Sequence, residues 1–305
     1  MRNDEKIVIV KYDMASSDMC APNVAAKRSS SSCYTRAMLV RIADLYNKMH
    51  TTKVDTKLPE KKLWAALQAN LSGHCGNNES CWMDQAFVKG MDPQLHQKLQ
   101  KRFKPKKPTA WERNPTEWLN TNDIYSVMNQ YEEGDKTFRF VGVFPIDFAQ
   151  QTTPGRCVSQ EMCTLDLEKE WKDGKRRLGI VFNTDKSSGP GIHWISLYIG
   201  LDPKRKNYGI FFYDSVASKP PAPLAAYMKT LHNELKRLHT RSKKKCEIKI
   251  NTRRRQYKGY NCGVFAMVFQ TLMLRTEFDK VCKMMGYDDD VQKFRDTLYR
   301  HPSSS

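Results

Sequence analysis

Apolar residues recur at helical spacing over the first hundred positions of the chain, whereas later they gather in short runs. The early spacing predicts three helices, at 33–49, 61–71 and 93–103. Asp92 and Pro93 supply a capping side chain and a proline at the first helical position, which favours a helix beginning there. The N-terminal part of the chain is therefore predicted to be helical.

The runs after Gly134 are rich in aromatic and β-branched residues and are bounded by Gly, Pro, Asn or Asp, which is typical of strands. They span 138–144, 178–182, 193–201, 208–213 and 246–251. Helical spacing returns at 123–131, at 223–239 and in the apolar stretch 262–274. Since strands and helices are grouped and do not strictly alternate, the pattern predicts an α+β fold.

A basic segment marked by prolines separates these two regions. Residues 104–108 read Lys-Pro-Lys-Lys-Pro and are followed by Pro115, a composition typical of a stiff linker. The sequence thus predicts two domains, a helical N-terminal arm of residues 1–112 and a second domain of residues 113–305.

Composition limits the class of protein. The 305 residues include 51 Lys+Arg and 33 Asp+Glu, a formal net charge of +18, which favours an anionic partner such as nucleic acid. The hydrophobic share of 40% suffices for a buried core and excludes wholesale disorder. No apolar run reaches the roughly 18 residues that cross a bilayer, so no membrane span is predicted. The first residues lack the apolar stretch of a secretory signal, and a cytosolic or nuclear protein is expected.

The nine cysteines are odd in number and scattered along a chain with no evident export signal. We therefore expect most thiols to be reduced and buried, and no disulfide framework. Cys75 and Cys81 have the same spacing as Cys157 and Cys163, but no second metal-type motif accompanies them. A buried or redox-sensitive pair is the better interpretation, and neither a metal nor a cofactor is expected.

Cys262 stands where the apolar helix begins, directly after a loop that contains Gly259. A thiol at a helix N-terminus lies at the positive end of the helix dipole, which favours the nucleophilic thiolate. Gln256 lies six positions earlier, so its amide and the Cys262 N–H could form an oxyanion hole. Taken singly, Cys262 could equally be a buried apolar residue and Gln256 a solvated one.

His193 follows a Gly-Pro-Gly loop and opens an apolar strand, where an imidazole could take a proton from a neighbouring thiol. Asp214 ends the next strand along the chain and could hold the second ring nitrogen. The alternatives are a core or surface histidine and a turn-forming aspartate.

Together these residues form a pattern. His193-Trp194, Asp214, Gln256 and Cys262-Gly263 stand in the order found in ubiquitin-like-protein (SUMO) proteases and in the adenovirus protease, and the sequence resembles that superfamily of cysteine peptidases. Over residues 116–300 the chain is most similar to the thiol proteases of large cytoplasmic DNA viruses, such as the African swine fever virus polyprotein-processing protease. The segments that carry this closer resemblance are 119–124, 181–185, 220–223 and 294–300.

The resemblance implies a papain-like or SUMO-protease-like core, a central mixed sheet flanked by helices, with a helical N-terminal domain. It also implies a cysteine endopeptidase in which His193 deprotonates Cys262, Asp214 orients His193, and Gln256 serves the oxyanion hole. Trp194 would wall a narrow substrate channel that only glycine passes. The implied substrate is a viral structural (core) polyprotein, cut after Gly-Gly-like sites during virion maturation, in the host cytoplasm at assembly sites and in the virion.

Two other functions stay open at this point. One is a deconjugating isopeptidase for SUMO or ubiquitin-like modifiers, which would use the same catalytic residues. The other is a basic, DNA-associated virion protein whose protease fold is silent, although a silent fold would not need all four polar residues.

A run of basic residues surrounds Gln256 between positions 241 and 258. It is either a solvated basic face or a site for DNA or another polyanion. The candidate residues for polyanion binding are Lys243, Lys244, Lys245, Arg253, Arg254 and Arg255.

Overall fold

The computed structural model describes residues 19–25 and 32–300, which divide into two compact units. One unit holds residues 110–295. The other holds the described residues up to 109 together with 296–300. The last residues join this helical unit because Arg300 pairs with Lys106 in a β-bridge and donates from its guanidinium to Ser80 Oγ (3.1 Å). The sequence prediction had placed them in the second domain.

The helical unit contains the three helices predicted from spacing and several shorter ones. In chain order they are α1 Pro22–Ala25, α2 Arg36–Met49, α3 Glu60–Cys75, a 3-10 helix Glu79–Asp84, α4 Ala86–Lys89 and α5 Pro93–Gln100. The predicted start of α5 is confirmed, since Asp92 accepts a hydrogen bond from Leu95 N (2.9 Å) and Pro93 occupies the first turn.

Two disulfides lie in the helical unit and a third in the other unit, so the expectation of mostly reduced thiols is wrong. The bridges and their Cα–Cα distances are Cys20–Cys33 at 5.3 Å, Cys75–Cys81 at 5.5 Å and Cys157–Cys163 at 6.5 Å. These distances lie within the range that a disulfide spans. The number of cysteines and the expected compartment do not reveal which Cα atoms the fold brings together.

The second unit is built on strands and helices that alternate irregularly. Its strands are β1 Phe138–Pro145, β2 Gln151–Thr153, β3 Arg156–Cys157, β4 Arg177–Asn183, β5 Trp194–Gly200, β6 Gly209–Tyr213 and β7 Glu247–Ile250. Its helices are α6 Ala110–Arg113, α7 Thr121–Gly134, α8 Gln160–Cys163, α9 Leu167–Lys172, α10 Ala222–Leu238, α11 Cys262–Met273, α12 Phe278–Met284 and α13 Asp288–Gln292. A final helix, α14 Phe294–Leu298, follows.

The central sheet is mixed, as the resemblance implied. Its order is β1-β4-β5-β6-β7, with parallel pairs at both edges and antiparallel pairs of β5 with β4 and β6. Asn183 pairs with Trp194, and Ser196 pairs with Tyr213. The end of β4, the start of β5 and the end of β6 therefore meet at one edge of the sheet.

Helices cover both faces of this sheet. Every residue of α11 is buried, and Gln270 in that helix donates to Ser196 Oγ (2.7 Å) and Leu197 O (2.9 Å) of β5. On the opposite face, α10 buries an apolar stripe with the strand residues Leu197 and Phe212. Each such side chain contributes about 1.5–3 kcal/mol through burial. The stripe of α10 consists of Leu224, Met228, Leu231 and Leu235.

Within the described residues, no helix combines the length and apolar character that crossing a membrane requires.

Candidate active site

His193 is held by the loop that joins β4 to β5. It lies one position before β5, and its carbonyl accepts a hydrogen bond from Thr184 N (2.8 Å). Gly191 has a φ of +98°, and a Cβ there would stand 2.9 Å from Asn183 Nδ2. Gly191 therefore fixes a tight backbone path, because a larger residue would meet Asn183 in a conformation that L side chains rarely adopt.

Asp214 follows β6 and faces the imidazole. His193 Nε2 donates to Asp214 Oδ1 over 2.7 Å, and the aspartate is 2% exposed. The backbone N–H groups of Val216 and Ser218 donate to the same carboxylate at 2.9 and 3.1 Å. The turn therefore wraps the carboxylate with donors and sets its direction towards His193.

Asn251, which sequence reasoning missed, holds the backbone of Asp214. Asp214 N donates to Asn251 Oδ1 (2.8 Å), and Asn251 Nδ2 donates back to Asp214 O (2.7 Å). Asn251 is buried at the end of β7, the edge strand next to β6. A polar residue directly after a strand was the available signal, but only the strand order shows which neighbour it meets.

Cys262 is the first residue of α11 and carries a free thiol that is 3% exposed. The first N–H groups of a helix lack intrahelical partners, and they lie at the positive end of its dipole. The preceding Asn261 makes no side-chain cap and donates to Asp288 O (3.3 Å) instead. This end of α11 is thus suited to bind negative charge.

The imidazole of His193 lies between the thiol and the carboxylate. Burial lowers the pKa of His193, but hydrogen bonds to Asp214 and to Cys262 outweigh it and raise the pKa from 6.5 to about 9. Because Nε2 bonds to Asp214, Nδ1 remains for the thiol. A ring protonated at neutral pH is the charge state that stabilises a thiolate beside it.

Gln256 is buried and tied to the residue after Asp214. Its Oε1 accepts from Ser215 Oγ (2.5 Å), and its Nε2 donates to Lys258 O (2.6 Å). A primary amide has two N–H groups, so one of them remains for a ligand. The fold thus connects the predicted oxyanion residue to the turn that carries Asp214.

A cavity of ≈570 Å³ adjoins the loop of His193, and Trp194 forms part of its wall. Trp194 is buried and donates from Nε1 to Leu119 O (2.9 Å). A Cβ at Gly263 would lie 2.9 Å from Leu119 Cδ1 and 3.1 Å from Trp194 Cδ1. Gly263 therefore allows both residues to approach the Cys262 helix closely. Trp118, which sequence reasoning did not single out, lines the same cavity and is 46% exposed.

Known proteins are similar to this chain in sequence and in fold. Residues 162–303 match the Ulp1 protease family, C-terminal catalytic domain. This part of the chain is similar to the catalytic domain of that family of cysteine peptidases. A thiol protease of Acanthamoeba polyphaga mimivirus is 24% identical over 311 residues, covering 94% of this chain and 95% of the relative. These findings confirm the resemblance and the prediction of a cysteine peptidase.

African swine fever virus proteins have a similar level of sequence identity to this chain. They are called cysteine protease or, in other isolates, SUMO-1 cysteine protease, and are 25% identical over 269 residues, or 82% of this chain and 93% of theirs. The crystal structure of the African swine fever virus protease superposes with a TM-score of 0.68 at 20% identity and covers 94% of this chain and 97% of that one. The predicted fold, a mixed sheet flanked by helices with a helical N-terminal region, is confirmed.

The basic run between positions 241 and 258 does not form one free surface. Arg255 is only 5% exposed, donates to Cys282 O (2.9 Å) and Lys283 O (3.1 Å), and lies over the ring of Tyr287. Its assignment to a polyanion site is therefore wrong, because its guanidinium serves internal carbonyls. Arg254 donates to Gln256 O (2.7 Å) and lies over Tyr257.

The other predicted basic residues are exposed on two separate segments. Lys244 donates from Nζ to the carbonyl of Arg205, whereas Lys243 and Lys245 stand exposed beside it. Arg253 is exposed and donates to Tyr287 OH (3.3 Å). The charge predicted as a continuous run is thus divided between the segment before β7 and the loop after it.

The part of the chain that the structure describes contains no cluster of three or more His, Cys, Asp or Glu side chains placed to hold a metal ion.

Proposed function

We propose that the protein is a cysteine endopeptidase in which Cys262 is the nucleophile, His193 the general base and acid, and Asp214 the group that orients His193. The observation that carries this proposal is the 2.7 Å hydrogen bond between His193 and Asp214 at one edge of the sheet, with the Cys262 thiol near enough to raise the pKa of the same imidazole. A thiol, an imidazole and a third orienting group in contact are the geometry that nucleophilic catalysis needs.

The proposed reaction proceeds in two halves. His193 takes the proton of Cys262, and the thiolate sulfur bonds to the scissile carbonyl carbon. The developing oxyanion accepts hydrogen bonds from the Cys262 N–H and the remaining N–H of Gln256. The carbon–nitrogen bond then breaks, and His193 gives its proton to the leaving amine. Water attacks the thioester, passes a proton to His193, and releases the carboxylic acid and the free cysteine.

The proposed cleavage sites are Gly-Gly-like. Trp194 and Leu119 lie close to Gly263, the residue after the nucleophile. Trp118 lines the same cavity as these two residues. A passage walled by indole rings favours residues without side chains next to the scissile bond. The resemblance to SUMO proteases implies the same preference, and African swine fever virus relatives are called SUMO-1 cysteine proteases.

The proposed substrate is a viral structural (core) polyprotein, processed during virion maturation in the host cytoplasm and in the virion. Support comes from the mimivirus and African swine fever virus relatives, which match 94% and 82% of this chain. The purified protein would be incubated with the structural proteins of the virus that encodes it, and new N-termini mapped by mass spectrometry. New termini after Gly-Gly-like sequences are expected.

Two variants serve as matched controls in that experiment. Cys262→Ala should yield no new termini, whereas Cys246→Ala removes a free thiol outside the site and should leave cleavage intact. New termini that persist in Cys262→Ala would refute the mechanism. Intact structural proteins in the presence of enzyme that cleaves a Gly-Gly-X peptide would refute the substrate.

An isopeptidase acting on SUMO or ubiquitin-like conjugates is the second candidate, because the matching family is that of Ulp1. Release of a modifier from a conjugated lysine, at a rate exceeding that of peptide cleavage, would favour it. The contacts of Cys262, His193 and Asp214 argue against the third candidate, a catalytically silent DNA-associated protein.

A further inference from the structure

Ser215 holds Gln256 by both its side chain and its backbone. The Ser215 hydroxyl donates to Gln256 Oε1 over 2.5 Å, and the Ser215 carbonyl accepts the N–H groups of Arg255 (2.8 Å) and Gln256 (2.9 Å). Ser215 is 1% exposed, and Gln256 is 3% exposed. Water cannot readily replace a buried hydroxyl at this position, so the bond to Oε1 depends on the side chain of residue 215.

The other end of the Gln256 amide fixes which way it points. Lys258 O lies 2.6 Å from Nε2 and can only accept hydrogen bonds, so an amide turned by 180° would place two oxygens against each other. The backbone of Lys258 is held in turn, because Tyr257 N (2.7 Å) and Lys258 N (3.2 Å) donate to the buried carboxylate of Asp288. Hydrogen bonds thus hold the amide at its oxygen and at one of its two N–H groups.

Ser215 also joins two parts of the site that are far apart in sequence. It directly follows Asp214, whose carboxylate bonds to His193, and it bonds to Gln256 across 41 residues. A shift of this turn would move both the orientation of the imidazole and the donor of the oxyanion hole. Small displacements of such donors reduce rates strongly, because their benefit depends on being preorganised.

We propose that Ser215 is a positioning residue. It directs the free N–H of Gln256 towards the oxyanion and fixes the position of that N–H relative to the Asp214–His193 pair. This inference rests on the proposed function, since it assumes that Gln256 stabilises the oxyanion. Ser215 itself touches no substrate; it acts on the rate through Gln256.

A double-mutant cycle on cleavage of a Gly-Gly-X peptide tests the proposal. Gln256→Ala is expected to lower kcat by about 10²-fold, the usual effect of removing an oxyanion donor. Ser215→Ala is expected to lower kcat on the order of tenfold with KM unchanged, because the transition state alone uses the positioned N–H. The double variant should be no slower than Gln256→Ala, since Ser215 has nothing left to position.

Ser196→Ala is the matched control. It deletes another fully buried serine hydroxyl, which accepts a hydrogen bond from Gln270 Nε2 and has no bond to Gln256. It should lower the thermal unfolding midpoint while kcat stays near wild type. Ser215→Cys retains a weaker donor and should give a kcat between those of wild type and Ser215→Ala, which keeps the test available if the alanine variant fails to fold.

The outcomes separate this inference from the function on which it rests. Losses that multiply in the double variant would mean that Ser215 acts independently of Gln256 and would overturn the proposal, as would a wild-type kcat in both Ser215 variants. A Gln256→Ala enzyme with wild-type kcat would remove the oxyanion role of Gln256 and the inference with it. Full activity in Cys262→Ala, in contrast, would overturn the peptidase mechanism itself.

Discussion

Three thiols are free in this protein, and their surroundings make them chemically different. Burial raises the pKa of Cys246 to about 11 and that of Cys282 to about 12, so both stay protonated at neutral pH. Cys262, in contrast, bonds to a histidine that is itself protonated below about pH 9. Because the thiolate is the reactive form, the three should differ in rate towards an alkylating agent.

Iodoacetamide at pH 7 should therefore modify Cys262 first and abolish peptide cleavage in step with that modification. Peptide mapping at several times would give the three rates, with activity measured on the same samples. The Cys262→Ala variant shows the background labelling of the other two thiols. Faster labelling of Cys246 or Cys282, with activity retained, would contradict the assignment of the nucleophile.

The hydrogen bond between His193 and Asp214 should set the alkaline limit of activity. Burial lowers the pKa of His193, the bonds to Asp214 and Cys262 raise it to about 9, and the active pair of thiolate and imidazolium is lost as pH rises through that value. Asp214→Asn removes a charge that raises the pKa, so the alkaline limb of kcat/KM should move to lower pH. Measuring kcat/KM from pH 6 to 10 for the wild type and for Asp214→Asn tests whether the alkaline limb shifts. An unshifted limb would mean that Asp214 does not tune His193.

At the scale of whole elements, the spacing of apolar residues predicts where helices and strands lie. It does not predict the order in which the strands pair. The apolar stripe of α10 and the five runs of β-branched and aromatic residues lie in the structure within a few residues of their predicted ends. Such patterns are local, and each element buries its own apolar face. Pairing is not local: Asn251 meets Asp214 because β7 lies beside β6, which no pattern in either strand specifies.

The same distinction explains which polar residues were found and which were missed. His193, Asp214 and Cys262 each stand at the end of a strand or the start of a helix, and Gln256 lies in the loop before α11; sequence can single out polar residues at such places. Ser215 and Trp118 differ little in sequence from ordinary turn and surface residues. Their relevance comes from Gln256 and Trp194, partners that are 41 and 76 positions away.

The close packing of α11 against Trp194 predicts that a side chain at position 263 disturbs the site. A Cβ there would stand 2.9 Å from Leu119 Cδ1 and 3.1 Å from Trp194 Cδ1, so both must shift beside the nucleophile. Gly263→Ala is expected to lower kcat/KM by about tenfold or more through this misplacement. Gly259→Ala is the matched control, because a Cβ at that position meets no atom within 4 Å. Steady-state kinetics of the two variants should differ; equal activities would show that the contact is unimportant.

At the scale of the whole molecule, the disulfides are distributed unevenly. Cys20–Cys33 and Cys75–Cys81 both lie in the helical unit, whereas in the second unit Cys157–Cys163 joins the end of β3 to the end of α8. The sheet and α11, which carry Cys262, contain no bridge among their described residues. The two units should therefore respond differently to a reductant.

Closing a loop of the length between Cys20 and Cys33 stabilises a fold by about 3 kcal/mol, which for a unit of this size corresponds to roughly 12–24 °C in Tm. Reduction should accordingly increase hydrogen exchange in α2 and α3 while α11 and β5 stay protected. Hydrogen-exchange mass spectrometry with and without a phosphine reductant measures both regions in one sample. The Cys157→Ser, Cys163→Ser double variant keeps both bridges of the helical unit and should leave its exchange unchanged. Alkylation of the denatured, unreduced protein should find three thiols; finding nine would show that the bridges do not form, and the two units would then owe their stability to packing alone.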